Sequence, residues 1–537
     1  MLSKSNEAHV PSQSRVRQTD KVKERTAQAE NGRSRALKMR QERALAQSRR
    51  PLPNQLINGD EQTLPRWAGS FTKGLPHNQF GEAELGKYET LLESIKSGRH
   101  VDFEKLARGS GRTFVNPQAA LSLHFEGGDA CSFTCAPPPS FTSAEAAAEM
   151  VELYWQALAR DIPFLEYDRS PLIERVAVEL GQLKRFSGPK QSGQVTFQTV
   201  FRGNTLGDLT GPFVSQFLWK PVPCGSGKME QRYRTPAAGS DFLNTYSEWL
   251  QQQSGTPPWR EYRWRQEPQY ITTGRDLAEY VHFDFLYQAF LNAALIIQNH
   301  GPESLLNSTS YLSNTNPYKY SKTQTGFVTF GLANVVDWLG RITTACMKAA
   351  WYQKWLVHRR LRPEEFGGRV HQQQTAHTTH FIDTELSDSL ALEETFRRQG
   401  NYLLSQSYPE GCPLHPAYPS GHATVSGGCA TLLKAFFDES IVVPDCVIPS
   451  TDGLSLHPYE GSALTLKGEV EKLAFNIAMG RNFAGIHYRS DASAGIRLGE
   501  EVATSVLEDL VNTFNEDFGG FRFTRFDGSV VTIRRIT

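Results

Sequence analysis

The stretch Tyr418-Pro-Ser-Gly-His-Ala-Thr-Val-Ser-Gly-Gly-Cys-Ala-Thr-Leu-Leu-Lys-Ala-Phe-Phe437 begins as a turn and continues as an apolar segment. Ser420 is a natural N-cap, because its hydroxyl can accept a hydrogen bond from a backbone N–H of the first helical turn. A helix is therefore expected near 421–437. The free N–H groups at Gly421 and its neighbours lie at the positive end of the helix dipole. The pattern predicts an anion-binding site there, with His422 beside it.

Helical spacing of apolar residues dominates the chain on both sides of this stretch. The helices are predicted near residues 276–299, 330–361, 421–437, 465–484 and 491–513. An earlier helix is predicted after a capping box formed by Thr142 and Glu145. In residues 521–536 apolar and polar side chains alternate, which predicts a short strand or hairpin. Little of the chain shows the succession of strands and helices that is typical of βαβ units. The fold class is therefore mainly α, with minor β at the C-terminus.

Composition excludes several classes of protein. The 537 residues contain 57 Lys and Arg against 57 Asp and Glu, so the net charge is zero with histidine neutral. This balance argues against nucleic-acid and anionic-membrane binding. No run approaches the roughly 18 apolar residues of a membrane span. The N-terminus has no apolar core of a signal peptide, so we expect a cytoplasmic location. The seven cysteines show no zinc-binding spacing.

The first 50 residues differ from the rest of the chain. They hold 13 of the basic residues and 5 of the acidic ones, with few large apolar side chains. Such a basic segment is either a solvated helical arm or an arm that contacts a neighbouring subunit, and we favour the second. Pro51 and Pro53 end it. We expect residues 51–537 to form one large helical domain, with the site within 350–491.

Two further segments supply cationic and histidine side chains. Lys354 lies in a helical pattern, and Pro363 biases Arg362 away from helical dihedral angles. Arg481 comes at the end of another predicted helix and is followed six residues later by His487. Asp491 comes four residues after His487, which is the spacing that lets a carboxylate accept the ring N–H.

These segments can converge on one tetrahedral oxyanion. Three cationic side chains nearly balance an anion of charge −2 to −3, and arginine is suited to pairs of anion oxygens. A histidine held by a carboxylate is suited to act as a nucleophile or as a metal ligand. Physical argument alone does not choose between vanadate and phosphate, because the two anions have the same shape.

The order Lys-x7-Arg-Pro, Pro-Ser-Gly-His and Arg-x5-His-x3-Asp resembles the vanadium-dependent haloperoxidases, and especially the bromoperoxidases of red algae and their cyanobacterial and bacterial relatives. That superfamily also contains type-2 phosphatidate phosphatases and bacterial acid phosphatases. The phosphatases typically have one residue fewer between Lys and Arg-Pro, and Ser in place of Gly480. The resemblance covers nearly the whole chain and includes Asn58-Gly-Asp-Glu61, Phe71-Thr-Lys-Gly-Leu-Pro-His-Asn78, Asn116-Pro-Gln118, Phe201-Arg-Gly203, Gly211-Pro-Phe-Val-Ser-Gln-Phe217 and His358-Arg-Arg-Leu-Arg-Pro-Glu364.

The resemblance implies a role for each site residue. His487 would bond vanadium, and His422 would be the acid–base group. The oxygens of vanadate would be held by Lys354, Arg362, Arg481, Ser420 and the amide of Gly421. Hydrogen peroxide would then oxidise a halide, and the resulting hypohalous-acid equivalent would halogenate a small organic acceptor.

Further expectations also follow from the resemblance. Trp351 would line the halide pocket, although an ordinary core tryptophan fits its pattern equally well. His415 favours bromide and iodide over chloride. Related enzymes have two four-helix bundles and form homo-oligomers up to dodecamers built from dimers. Some bind calcium on the loop corresponding to 307–326, but this loop has no Asp or Glu, which argues against calcium.

Two alternatives stay open at this point. A phosphatase could use His487 as a phosphorylated nucleophile oriented by Asp491, with His422 protonating the leaving group. Vanadate mimics the phosphoryl transition state, so the same site suits both reactions. A non-catalytic assembly protein could also keep the fold, but every charged member of the site is present.

Overall fold

The computed structural model describes residues 13–298 and 311–535, with side chains from residue 21 onward. The chain divides into two compact units, one ending at Leu52 and the other beginning at Pro53. Several predictions extend outside the described residues: the first twelve residues of the basic arm, Asn299, residues 307–310 of the polar loop, and Ile536.

The described helices belong mostly to the second unit. Their bounds are α1 Gln13–Ser48, α2 Asp60–Thr63, α3 Lys87–Ser97, α4 His100–Phe103, α5 Ala144–Leu158, α6 Pro171–Gln182, α7 Tyr246–Gln253, α8 Gly274–Tyr280, α9 Gln288–Gln298, α10 Leu332–Tyr352, α11 Pro363–Gln374, α12 Thr384–Ser387, α13 Leu390–Gln399, α14 Gly421–Phe436, α15 Leu466–Phe483 and α16 Arg489–Leu510. Only α1 lies in the first unit.

Strands are few and short in the described part of the chain. They form three antiparallel hairpins: β1 Val222–Cys224 with β2 Gly227–Met229, β3 Val447–Pro449 with β4 Leu456–Pro458, and β5 Gly520–Thr524 with β6 Val530–Arg534. In the last hairpin Gly520 pairs with Arg534 and Thr524 with Val530. The mainly α class and the C-terminal hairpin are therefore confirmed.

The predicted helices near 421–437, 465–484 and 491–513 correspond to α14, α15 and α16. The single helix predicted near 276–299 is wrong, because α8 ends at Tyr280 and α9 begins only at Gln288. The helix predicted to reach residue 361 ends earlier as well. After Tyr352 the backbone widens into a π-helical turn, Gln353–His358, and Arg359 then adopts a positive φ of 41°.

Helix α5 begins one residue away from its predicted cap. Ser143 is the N-cap, and its side chain accepts from the N–H of Ala146. The proposed box between Thr142 and Glu145 is therefore wrong. The serine side chain satisfies one of the otherwise unpaired N–H donors of the first turn, so the helix begins directly after Ser143.

Helix α14 lies at the centre of the second unit and packs against α10, α15 and α16. Every residue of α14 except His422 is buried. Glycines let α14 and α16 approach closely, since a Cβ at Gly427 would collide with the carbonyl of Ile496. A Cβ at Gly499 would collide with the carbonyl of Thr424. This packing brings the first turns of the two helices together, which positions the site.

No helix among the described residues is both long enough and apolar enough to cross a bilayer.

Candidate active site

The start of α14 has the predicted capping geometry. Ser420 Oγ accepts from the N–H of Ala423 at 3.3 Å. The N–H of Ser420 itself donates to the carbonyl of Asp491 at 3.0 Å, which ties this turn to the first turn of α16. Gly421 packs against Trp351, whose Cζ3 would lie 3.3 Å from a Cβ there. The backbone amides at the start of α14 are thus held in place by neighbouring elements.

His487 is held by the carboxylate that the sequence predicted. Its Nδ1 lies 2.7 Å from Asp491 Oδ2, and both side chains are buried. A carboxylate only accepts, so Nδ1 carries the proton and Nε2 keeps its lone pair. Burial and the nearby Arg362 hold the pKa of His487 well below its usual range, which keeps the ring neutral. The Nε2 lone pair accepts from Arg362 Nη1 at 3.0 Å, and a neutral imidazole with such an accepting nitrogen is the form that bonds a metal centre.

A second layer fixes Asp491 in turn. Its Oδ1 pairs with Arg360 at 3.0 Å, and Arg360 also pairs with Glu149 of α5 at 2.8 Å. Glu149 accepts from the N–H of Ser490 as well. The guanidinium of Arg360 lies 3.7 Å from the ring centroid of Tyr488. Neither Arg360 nor Glu149 was predicted from the sequence, because nothing local to either residue connects it to His487.

Lys354 and Arg362 come from the irregular end of α10. The N–H of Arg359 donates to the carbonyl of Lys354, closing the π-helical turn, and Arg362 is the cap of α11. Lys354 Nζ donates to the carbonyls of Pro416 and Ala417 at 2.8 and 2.7 Å. A π-turn at such a position is common at functional sites. Here it turns the chain so that both cations face the start of α14.

Arg362 lies at the junction of the site. Its Nη1 is 3.0 Å from His487 Nε2 and donates to the carbonyl of Ile486, while its Nη2 is 3.0 Å from His415 Nδ1. Its backbone N–H donates to Glu365 at 2.8 Å. These contacts place the guanidinium directly beside the lone pair of His487.

Arg481 reaches the site from the end of α15. Its Nη1 donates to the carbonyl of Val281 and to Tyr408 Oη, whereas its buried Nε has no hydrogen-bond partner. Helix α15 lies close to α8 here, since a Cβ at Gly480 would be 2.8 Å from the carbonyl of Leu277. Glycine at position 480 therefore permits the approach that places Arg481.

The three cations Lys354, Arg362 and Arg481 lie close enough to repel one another. Burial first, and then Arg362, hold the pKa of Lys354 well below its usual range. Within the described residues, none of the three forms an ion pair with a carboxylate. Buried charge without a counter-ion is strongly unfavourable, so this arrangement is suited to an anion. The unpaired Nε of Arg481 is one donor that such an anion would satisfy.

His422 is held by an aspartate that the sequence analysis missed. Its Nε2 lies 2.9 Å from Asp284 Oδ1. Burial raises the pKa of Asp284, but His422 and Arg481 outweigh it and hold that pKa below its usual value. The carboxylate therefore accepts from Nε2–H, which leaves Nδ1 of His422 to take or give a proton. Asp284 lies between α8 and α9, within the span wrongly predicted as one helix.

The residues predicted to form the halide pocket also meet at the site. The rings of Trp351 and His415 have centroids 4.7 Å apart, and Lys354 Nζ lies 5.9 Å from the centroid of Trp351. Trp351 Nε1 donates to the carbonyl of Val115 at 3.2 Å. Burial and Arg362 hold the pKa of His415 well below its usual range. All the predicted site residues thus lie around the starts of α14 and α16.

Across 13–298 and 311–535, no group of three or more His, Cys, Asp or Glu could hold a metal ion. All seven cysteines are free, and Cys346 and Cys429 are among the buried ones.

The protein is mainly helical, and its site combines three buried cations, the start of a helix and a neutral histidine. This combination is typical of proteins that bind tetrahedral oxyanions. Comparisons with known proteins refine that class. The family model described as the VCPO second helical-bundle domain matches residues 344–516. The vanadium-dependent bromoperoxidase of Ascophyllum nodosum is 33% identical over 500 residues, covering 89% of this chain and 88% of the relative.

Two further proteins support membership of the same family. The vanadium-dependent bromoperoxidase of Corallina pilulifera is 33% identical, covering 88% of this chain and 92% of its own. The structure of the homohexameric second vanadate-dependent bromoperoxidase of Ascophyllum nodosum superposes with a TM-score of 0.88 at 28% identity, covering 93% of this chain and 90% of that one. The chain belongs to the vanadium-dependent bromoperoxidase family.

Proposed function

We propose that this bromoperoxidase holds vanadate at the site described above. In this arrangement His487 Nε2 bonds the vanadium, and the oxygens are held by Lys354, Arg362, Arg481, Ser420, the amide of Gly421 and His422. Bound vanadate supplies a Lewis-acid centre at which hydrogen peroxide is activated to oxidise a halide.

The observation that carries this proposal is a group of three buried cations that form no ion pair with any carboxylate in the described part of the chain. The donor set suits an oxyanion, because Lys354, Arg362 and Arg481 all have N–H groups and none can accept. Their combined charge matches that of vanadate, and His487 adds a neutral lone pair in the same place. A phosphate ester would satisfy the cations equally well, so the experiment must separate the two.

The residues around the vanadate then have separate roles. Asp491 fixes the tautomer of His487, and Arg360 fixes Asp491. Asp284 fixes His422 so that its Nδ1 takes up and returns the proton of peroxide. Lys354 would stabilise the negative charge that develops on the oxygen it holds as the O–O bond of peroxide breaks.

The halide is bromide, and we propose iodide as a second substrate. Iodide is the more easily oxidised halide, and the rings of Trp351 and His415, which are proposed to contact the halide, are polarisable. His415 is neutral because of burial and Arg362, so it offers the halide a ring N–H without a full charge.

We propose that the enzyme is a homo-oligomer and that the basic arm contacts a neighbouring copy. Residues 1–50 carry 13 basic and 5 acidic residues, while the whole chain is neutral, so the remainder has an equal excess of negative charge. Helix α1 has no acidic residue in its first turn and is mostly exposed. Removing residues 1–52 should lower the number of protomers per particle measured by sedimentation, and raised salt should weaken the full-length assembly. An unchanged number of protomers would contradict this role.

Parallel assays test the function itself. Purified protein is freed of vanadate and reloaded, and bromination of a dimedone-type acceptor is measured with peroxide and bromide. Hydrolysis of p-nitrophenyl phosphate is measured without vanadate. We expect His487→Ala to abolish bromination and vanadate binding, while His457→Ala, an exposed histidine of β4, leaves both unchanged. Phosphate hydrolysis without bromination would instead identify a phosphatase.

A further inference from the structure

The connection between α8 and α9 presents two different faces. In residues 281–287 the side chains alternate, so that His282 and Asp284 point inward and Phe283 and Phe285 point outward. The side chains of His282 and Asp284 are 4% and 6% exposed. Phe283 and Phe285 are 82% and 50% exposed. The segment contains turns and a bend, and within it the two polar side chains are buried while the two phenylalanine rings are exposed.

The inward face of this connection is firmly held. His282 Nε2 lies 2.6 Å from Glu410 Oε1, and its ring stacks on Tyr408 with centroids 3.7 Å apart. The carbonyl of Val281 accepts from Arg481, and Asp284 holds His422. The segment is therefore fixed to the site at several points, so the outward rings have a defined position relative to His422.

The outward face lies next to the acid–base group. Phe283 and Phe285 are the immediate neighbours of Asp284 in the chain, and successive Cα atoms are about 3.8 Å apart. Asp284 Oδ1 is 2.9 Å from His422 Nε2, and His422 is the one residue of α14 that is not buried. An apolar molecule on these rings would therefore lie close to the point where the oxidised halogen is produced.

Phe283 also has the geometry of a stacking platform. One side of its ring lies against the imidazole of His282, with centroids 3.8 Å apart and an angle of 35° between the planes. Its high exposure leaves the remaining ring surface open to solvent. Aromatic rings bind planar ring systems in offset or tilted arrangements, so this surface suits a flat aromatic ligand.

We propose that Phe283 and Phe285 form the binding surface for the organic acceptor, and that this acceptor is an apolar, electron-rich aromatic molecule. The inference rests on the proposed function, which supplies hypobromous acid. The transfer forms a carbon–bromine bond and breaks the bromine–oxygen bond. The acceptor loses a proton from the same carbon, and this proton and the departing hydroxide form water.

A competition experiment tests the surface. Vanadate-loaded enzyme brominates a mixture of indole and a small polar β-diketone, and reagent hypobromite gives the reference product ratio. The wild type should favour indole more than the reagent does. Phe283→Ser and Phe285→Ser should each reduce that preference about fivefold, and the double variant should approach the reagent ratio. Phe381→Ser, at a phenylalanine 70% exposed elsewhere, should have no effect.

A binding measurement without peroxide separates this inference from the proposed function. Saturation-transfer NMR should detect indole on the wild type and on Phe381→Ser, and should lose it in the double serine variant. That result supports the surface even if no bromide is oxidised. Phe285→Leu, which keeps an apolar side chain, should retain part of the signal and guards against a folding defect.

Two results would overturn the inference. One is a product ratio equal to that of reagent hypobromite in the wild type and in every variant, which would mean that the halogen acts in free solution. The other is a lower sedimentation mass for the serine variants with unchanged indole binding, because the rings would then belong to a contact between copies of the chain.

Discussion

Buried positive charge occurs in two settings in this protein. Arg489 pairs with Glu152 through Nε at 2.8 Å, and Lys472 Nζ lies 2.7 Å from Glu469. In both pairs the counter-ion is another side chain of the same chain. Lys354, by contrast, is equally buried, but it donates to backbone carbonyls and forms no ion pair among the described residues. Arg362 is the charge that lowers its pKa most after burial itself.

The paired and the unpaired buried cations have different roles. A buried pair balances its own desolvation and fixes how elements pack, as Arg489 of α16 does with α5. Three buried cations without a carboxylate destabilise the fold until an anion enters. This group of three lies where α14 and α16 begin, and an anion there gains the helix dipole as well. The following changes test that contrast, from the largest expected effect to the smallest.

Breaking a paired cation should have the largest effect on stability. Glu152→Gln leaves Arg489 buried without its carboxylate, so we expect the free energy of unfolding to fall by about 4 kcal/mol. Guanidinium unfolding followed by circular dichroism measures this. A loss below about 1 kcal/mol would show that Arg489 is not supported by that pair.

Removing the carboxylate that holds the ring of His487 should weaken vanadate binding. Asp491→Asn removes the carboxylate that fixes Nδ1–H, and we expect vanadate affinity to fall about 10- to 100-fold. Equilibrium dialysis with metal analysis gives the affinity. Asp509→Asn, on the last turn of the same helix, is the matched control. Equal affinity in Asp491→Asn and wild type would remove Asp491 from the site.

Removing the partner of His422 should change the pH dependence more than binding. The Asp284 carboxylate raises the pKa of His422, although burial still holds that pKa below its usual value. In Asp284→Asn the pKa should drop further, so the acid limb of the rate profile should move to lower pH. We expect kcat to fall about 10-fold. An unmoved acid limb would exclude His422 as the titrating group.

An exposed ion pair should matter least. Arg341 pairs with Asp337 at 2.8 Å on the surface of α10, where water screens both charges. Arg341→Ala should change the free energy of unfolding by less than about 0.5 kcal/mol. The same unfolding measurement provides the comparison with Glu152→Gln. A loss as large as that of the buried pair would invalidate burial as the deciding variable.

The sequence predicted those features that are encoded within a few residues. The cap at Ser420 and the contact from His487 to Asp491 depend on spacings of three and four residues, and both are present. The C-terminal hairpin follows from alternation in the same way. Local geometry links such residues whatever the rest of the chain does.

Features that depend on tertiary packing were not predictable in this way. Asp284 meets His422 across 138 residues, and Arg360 meets Glu149 across 211. The break between α8 and α9 was missed because apolar residues continue through it. Its alternation of Phe283 and Phe285 with inward polar residues was the available signal. The π-turn at Lys354 likewise has no signature in helical periodicity.

The central claim is that Lys354, Arg362 and Arg481 await an anion, and vanadate-linked stability tests it most directly. Unfolding of wild type and Lys354→Met is compared with and without vanadate. At 100 times the dissociation constant, vanadate should stabilise wild type by about 2.7 kcal/mol. Lys354→Met should change the vanadate-free protein by less than about 1 kcal/mol, because relief of repulsion offsets the lost hydrogen bonds, and should lose most of the vanadate effect. A variant that is as destabilised as Glu152→Gln without vanadate, yet keeps the full vanadate shift, would contradict the account.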